Sequence, residues 1–333
     1  MIHVVDNTLR DGSYVVDFNF SETQTSTVCQ GLDDLGVSWI EVGHGLGLGA
    51  WNKKEFGLAK VNDKDLISAA KKSSPIAKIG AFFIPGIGTI KDIKKAKECG
   101  LDFLRIGINI NSYQETYDYL AYAEKAGLFV AINLMKSYAV KSYEFCEIIK
   151  KIDEWGLADV IYLVDSAGCM MPNEIDEYID RVKQKTTTSI GFHGHNNLSM
   201  ALANTLQAIN SGATYVDSCI RGMGRSAGNT QTEILIYALQ KTGIDLGINL
   251  YDLYDFAERI IDPIMPRKQG LNSNEIHIGV SRFHSSYMPL ANKVSSEMNI
   301  DKRELIRLVS DINCLNPTES LFNTIGQKLA FEK

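Results

Sequence analysis

Eight short apolar runs, each followed by an amphipathic segment, limit what this chain can fold into more than any other feature. The runs are IHVVDNTL, WIEVG, AKIGAFF, FLRIGIN, FVAINLM, VIYLVD, TSIGFHGH and YVDSCI. Helical spacing follows each of them, over 21–35, 65–72, 90–99, 112–126, 142–155, 173–183, 199–209 and 230–239. Strictly alternating strand and helix argues for parallel strands with crossover helices. Eight such units ending near residue 245 predict an α/β fold, a (β/α)8 TIM barrel of the usual size of about 250 residues. A doubly wound open sheet is the competing arrangement, and it seldom needs eight regular repeats.

After Gly247 the pattern changes. YDLYDFAERIIDPIM, SSYMPLANKVSSEMN, DKRELIRLVSDI and TESLFNTIGQKLAFEK keep helical spacing with no strand run between them. The expected organisation is a barrel domain over 1–247 and a helical C-terminal extension over 248–333. The segment MPRKQGLNSNEIHIGVSRFHSS joins the extension to the barrel, and its Gly, Pro, Asn and Ser mark loop. With 333 residues, 45% of them hydrophobic, the chain has apolar material for a substantial core.

A barrel of this kind carries its chemistry at the C-terminal ends of the strands. The polar residues expected there are Arg10 and Asp11, Glu41 and His44, Arg105 and Asn109, Asp165 and Ser166, His193 and His195, and Arg221. Side chains two apart on a strand share a face, so the two imidazoles of GFHGHNN project together in a chelating geometry. Asp11 is the candidate third ligand. One carboxylate, two imidazoles and open positions suit Mn²⁺, Mg²⁺, Co²⁺ or Zn²⁺ acting as a Lewis acid. The plainer possibility is a pair of polar residues ending a strand. Arg10 has a fixed charge beside Asp11 and would stabilise a carboxylate or an enolate oxygen, a surface ion pair being its alternative.

Two glycine-rich stretches need separate treatment. In GHGLGLGA the glycines alternate and open no helix, so the stretch reads as a loop over the barrel mouth rather than a dinucleotide fingerprint. RGMGRSAGNT, over 221–230, reads either as a phosphate-cradling turn around Gly222 to Asn229 or as a tight closing turn before the last helix. A net charge of −6 with no long Lys/Arg cluster excludes nucleic acid and anionic membrane as natural partners. No uncharged apolar stretch reaches about 18 residues and no basic leader precedes the first strand, so a cytoplasmic location is expected. The six cysteines form no C-x-x-C and are expected as free thiols, with Cys169 nearest the site.

With these residues in view, the chain resembles the metal-dependent lyases of the HMGL-like (DRE-TIM metallolyase) superfamily, whose barrels carry a TLRDG turn and an HGHNN strand end. It most resembles the 4-hydroxy-2-oxovalerate aldolase family, through NTLRDGSY, IEVGHGLGLG, YLVDSAGCMMP, GFHGHNNLSMALAN and GMGRSAGNTQTE. The resemblance implies a divalent metal, Mn²⁺ favoured, held by Asp11, His193 and His195 and binding the keto and carboxylate oxygens of a 2-keto acid. It implies that Arg10 stabilises the pyruvate enolate formed on carbon–carbon cleavage, with His44 and Ser166 as further substrate contacts. The implied partners are a small 2-keto acid and an aldehyde, further copies of the chain in a homo-oligomer, and an aldehyde dehydrogenase docked on the C-terminal helices.

Two positions depart from that family. Its catalytic His, three residues after the motif Asp, is replaced by Tyr14, and HSSY places His284 where the family has a Tyr. An unshifted tyrosine, with a pKa of about 10, is a poor base at neutral pH, so His284 is expected to be the base and Tyr14 to orient it. The exchange also points to a larger or more polar aldehyde. Two other functions compete with the aldolase. A Claisen-type acyl-CoA condensing synthase or lyase of the superfamily resembles TLRDGEQ at the motif, where this chain has Ser13 and Tyr14. A non-catalytic homologue that only binds a partner would have no physical need for four converging polar groups.

Overall fold

In the computed structural model, which describes residues 1–331, eight parallel strands close on themselves in chain order. They are β1 (His3–Asp6), β2 (Trp39–Glu41), β3 (Lys78–Phe83), β4 (Phe103–Asn109), β5 (Phe129–Met135), β6 (Val160–Asp165), β7 (Ser189–Gly194) and β8 (Tyr215–Ser218). The closing seam pairs His3 with Tyr215 and Asp6 with Ser218. The fold is therefore the expected TIM barrel and not the open sheet.

Helices follow the strands: α1 (Glu22–Asp34), α2 (Asp63–Ser73), α3 (Ile90–Glu98), α4 (Tyr117–Lys125), α5 (Ser142–Asp153), α6 (Pro172–Lys183), α7 (Ala201–Ser211) and α8 (Thr232–Lys241). Local chemistry sets where they start. Ser21 Oγ accepts from the Gln24 amide at 3.1 Å while Gln24 Oε1 accepts from the Ser21 amide at 2.9 Å, a reciprocal cap that opens α1. The fourth segment differs from its periodicity: residues Ile110–Thr116 wind as a tighter 3₁₀ turn before α4 begins.

Strand alternation sorts the barrel's interior into layers. Val5, Trp39, Phe103, Ala131 and Tyr215 face inward and pack together at the lower end. Two residues further along the same strands stand Asn7, Glu41, Arg105, Asn133 and Asp217, all at most 3% exposed. His193 occupies the equivalent place on β7, two residues after Gly191. An apolar floor thus carries a buried polar layer directly beneath the mouth.

Beyond the barrel, α9 (Leu250–Phe256) runs into a π-type turn over Ala257–Ile261, and Leu253, Phe256, Ala257 and Ile261 belong to the barrel's own core. The last four helices, α10 (Ser273–Val280), α11 (Met288–Glu297), α12 (Lys302–Ile312) and α13 (Glu319–Phe331), build a second core around Ile278, Phe283, Val294, Leu305 and Phe322. Helix α10 lies inside the stretch expected as loop. Asn272 Oδ1 accepts from the amides of Asn274 and Glu275 and caps it, so a residue that reads as a loop marker is instead a helix start. No described helix is long and apolar enough to cross a membrane.

Candidate active site

The polar layer closes into a ring in which carboxylates alternate with guanidinium and imidazole groups. Asp11 accepts from Arg10 Nη1 at 2.8 Å, and Arg10 Nε donates to Glu41 at 2.6 Å. Glu41 also accepts from Arg105 Nη1 at 3.2 Å, and Arg105 Nη2 donates to Asp217 at 2.5 Å. Asp217 meets His193 Nδ1 at 2.7 Å, and His193 Nε2 comes back to within 3.6 Å of Asp11. Isolated charges could not be held out of water at this depth, but each group here faces an opposite charge or a hydrogen-bonding partner. Burial would raise both Asp11 and Asp217. Arg10 beside the first and Arg105 beside the second outweigh it and hold both carboxyls below the usual range.

Donor chemistry at Asp11, His193 and His195 fits a divalent cation. One ligand atom from each lies within 4.8 Å of the others, and all three residues are buried. Nδ1 of His193 is engaged by the Asp217 carboxylate, and Nδ1 of His195 lies 3.2 Å from the Gly228 carbonyl. Because both partners only accept, both Nδ1 atoms carry the proton and both Nε2 atoms keep a lone pair. Burial pushes His195 down to about 3, so it remains a neutral ligand at any working pH. The third donor, Asp11, is steadied from the other side, where Oδ1 accepts from the Arg225 amide at 3.0 Å.

A small cavity of about 50 Å³ opens above this triad, lined by Arg10, Asp11, Tyr14, Asn133, His193, His195 and Arg225 among others. At about 10–15 Å³ per water, it has room for a few heavy atoms. Arg10 Nε and Nη1 bind Glu41 and Asp11, and among the described residues Nη2 has no hydrogen-bond partner, so this donor is left for a ligand. Ser166 also lines the cavity, and its Oγ accepts from the Lys136 amide at 2.9 Å. A wider chamber of about 880 Å³ lies outside, walled by Tyr14 and Arg225 from the barrel and by His284 from the tail. Tyr14 therefore sits at the junction. Its ring fits only because position 45 is glycine: a Cβ there would come within 2.4 Å of it.

His284 is 7% exposed and is brought to the site from the other core. Its Nδ1 accepts from the Ser286 amide at 3.3 Å and meets Ser286 Oγ at 2.6 Å, leaving Nε2 without a protein partner among the described residues. Burial, then the nearby charges of Arg225 and Lys136, lower its pKa well below the ordinary histidine value. Tyr14 moves the other way, pushed up to about 12 by burial.

The other residues expected at the strand ends have different surroundings. Arg105 is inside the barrel and serves the ring. His44 lines neither cavity; it bonds the Gly57 carbonyl at 3.0 Å, accepts from the Leu46 amide at 3.0 Å and stacks on Phe18. Asp165 accepts from the amides of Cys169 and Met170 and so shapes a turn. Asn109 lines the outer chamber and bonds Asn316, and Arg221 pairs with Glu233 and Asp262. In 221–230 the amides of Arg225, Gly228 and Asn229 serve Asp11, Arg225 and Gly222, the geometry of a closing turn. Burial beside Asp165 raises the Cys169 thiol well above its normal value, which removes the thiolate a nucleophile would need.

Sequence reasoning missed Asp217, Asn133, Lys136 and Arg225. The first two had a readable signal, since a polar residue inside a strand buried on both faces must point into the barrel. The other two depend on loop conformation, which no periodicity encodes.

A profile of the HMGL-like family matches residues 1–260. A protein from Geobacillus genomosp. 3 named 4-hydroxy-2-oxovalerate aldolase is 37% identical over 305 residues, covering 92% of this chain and 90% of its own. One of the same name from Moorella thermoacetica is 34% identical over 329 residues, with 99% and 97% covered. Among solved structures, the carboxyl transferase domain of Rhizobium etli pyruvate carboxylase with pyruvate and biocytin superposes with a TM-score of 0.80 at 13% identity, covering 98% of this chain and 61% of that one. That likeness is one of fold. The names of the relatives do not favour an acyl-CoA condensing activity. By the profile match and by identity sustained over nearly its whole length, the chain belongs to the HMGL-like family.

Proposed function

We propose that this protein is a divalent-metal-dependent (class II) aldolase, a carbon–carbon lyase that cleaves or forms a 4-hydroxy-2-keto acid, with pyruvate and an aldehyde on the other side. The observation that carries this reading is the ring with His195 beside it: the ring fixes Asp11 and His193, the Gly228 carbonyl orients His195, and Arg10 lines a cavity of about 50 Å³ above all three. Asp11, His193 and His195 would hold the ion, and their oxygen and nitrogen donors suit Mn²⁺. When bound, it would supply Lewis acidity to the keto and carboxylate oxygens of the substrate.

The chain's own groups do the rest. In the cleavage direction His284 Nε2 takes the proton of the C4 hydroxyl, the C3–C4 bond breaks, and its electron pair delocalises onto the keto oxygen. Arg10 Nη2 faces that oxygen and stabilises the charge that develops there. The aldehyde leaves through the outer chamber, and a proton returns to C3 to give the pyruvate methyl group. Addition runs the same steps in reverse. His284 offers Nε2 as the base in the tautomer whose proton sits on Nδ1 and is given to Ser286 Oγ, whereas Tyr14 at about 12 holds its proton and orients the hydroxyl. Ser166, which lines the inner cavity, would contact the keto acid. His44 acts as a loop brace and not as a substrate contact.

The helical unit over 248–333 is assigned the role of closing the site, since it delivers His284. Its exposed faces are the candidate dock for an aldehyde dehydrogenase, and the assembly is taken as a homo-oligomer by likeness to the family. Incubation of the Mn²⁺-loaded protein with 4-hydroxy-2-oxopentanoate, with pyruvate read through lactate dehydrogenase, tests the activity. Pyruvate release that depends on metal and on His195 supports it, and no release in either direction overturns it.

A further inference from the structure

The outer chamber carries more positive charge than pyruvate chemistry uses. Its walls include Lys136, Arg225, Arg267 and Lys302 against Glu55 and Glu275, and Glu275 is already engaged by Ser226 Oγ. Lys136 is the telling residue. It is 3% exposed, and its ammonium donates to the Leu315 carbonyl and to Tyr287 Oη at 3.3 Å, both neutral acceptors. Arg225 reaches the Ser166 carbonyl at 3.5 Å and His195 Nε2 at 3.4 Å, both long contacts. Among the described residues neither cation forms an ion pair, so two charges face one chamber with no carboxylate of their own.

Backbone geometry singles out the same place. Lys136 follows β5 with φ at +58°, a left-handed conformation that a side-chain-bearing residue adopts only when its surroundings enforce it. Its own amide is held by Ser166 Oγ, a residue lining the inner cavity. Arg225 lines both cavities, while Lys136 lines only the outer one. The inner cavity is sized for the keto acid; the outer chamber, between Tyr14 and His284, is where the aldehyde half must lie.

Resting on the aldolase reading above, we propose that the aldehyde partner carries an anionic group, a carboxylate or a phosphate, seated between Lys136 and Arg225. The bond changes stay those of the aldol reaction. One carbon–carbon bond forms between pyruvate C3 and the aldehyde carbon, one proton leaves C3, and one reaches the new hydroxyl oxygen. The anionic group only binds.

The test measures kcat/KM for condensation of pyruvate by the Mn²⁺-loaded protein with two matched pairs: glyceraldehyde 3-phosphate against glyceraldehyde, and succinic semialdehyde against butanal. A charge-assisted contact predicts a preference of at least about 10-fold for the anionic member of one pair, and the pair with the larger ratio tells phosphate from carboxylate. Lys136→Met is expected to bring that ratio to about 1, and Lys136→Arg to keep most of it. A wild-type ratio near 1 for both pairs overturns the proposal, whether or not the variants fold. Exchange of pyruvate methyl protons in D₂O without aldehyde separates the two failures. Exchange with no anion preference refutes this inference alone, and no exchange with no aldol product refutes the aldolase reading as well.

Discussion

Asp217→Asn keeps the shape of a ring member and removes its charge. In the native site the buried carboxylate accepts from Arg105 Nη2 at 2.5 Å and from His193 Nδ1 at 2.7 Å. Both bonds reach one oxygen, Oδ2, and an amide offers there either its oxygen, which keeps both without the charge, or its nitrogen, which keeps neither. If the amide nitrogen turns to His193, Nδ1 must accept, the ring proton moves to Nε2, and the lone pair facing Asp11 is lost. Removing the group that orients a ligating imidazole weakens metal binding by about 10–100-fold, or about 1.4–2.7 kcal/mol. Arg105 is left with Glu41 and Asn7, and breaking a buried ion pair costs about 3–5 kcal/mol. At about 2.1 cal/mol/K per residue over 333 residues, 1 kcal/mol shifts Tm by about 1.4 °C, so the variant should melt about 4–7 °C lower. Mn²⁺ titration calorimetry and thermal denaturation in metal-free buffer read the two effects separately. A variant that binds Mn²⁺ within about twofold of the native protein would refute the claim that Asp217 sets the His193 tautomer.

Three further outcomes follow from the same geometry. His284→Ala should lower kcat for cleavage by about 10²–10⁴-fold, while Tyr14→Phe should cost less than about tenfold, and the opposite order would give the proton transfer to Tyr14. Lys136 is pushed down to about 8, first by burial and then by Arg225. It is charged below that pH, so kcat/KM for an anionic aldehyde should hold to about pH 7 and fall above pH 8, whereas Lys136→Arg should stay flat over that window. Asp6 is fully buried, and burial raises it from 3.8 to about 7. The folded chain binds the extra proton between those values, so this contribution is whole below about pH 4 and is lost as pH rises through 7. Melting of the native protein should accordingly fall between pH 5 and 8 by more than that of Asp6→Asn, and parallel curves would contradict the assignment.

Much of this was legible because parallel strands encode so plainly. Runs such as VIYLVD and FVAINLM leave few options beyond a strand covered on both faces, and their eightfold repetition closes the barrel. The cluster of candidate donors is legible for a related reason: a strand's period of two puts His193 and His195 on one face, and the turn after β1 brings Asp11 beside them. The same alternation held the ring, since Arg105 in FLRIGIN and Asp217 in YVDSCI are charges that such strands can only aim inward. Reading Arg105 as a strand-end residue places it one layer too high, and Asp217 is not singled out by that reading. What could not be read rests on loops and on contacts across the chain. The left-handed turn at Lys136, the reach of Arg225 and the bracing of His44 against Gly57 follow from tertiary packing, not from any local pattern. Glycine, proline and asparagine likewise mark loop and helix cap alike, which is why α10 was concealed.

The central claim is that Asp11, His193, His195 and Arg10 together stabilise an enolate of pyruvate, and one experiment addresses it without knowledge of the aldehyde. Pyruvate is incubated in D₂O with the chelator-treated protein, then with Mn²⁺ restored, and methyl-proton loss is followed by NMR, with His195→Ala and Arg10→Lys alongside. The account predicts exchange that appears only with the metal, is abolished in His195→Ala, and is slowed by about 10²–10³-fold in Arg10→Lys. Exchange that persists after chelation, or an unaltered rate in both variants, would contradict it.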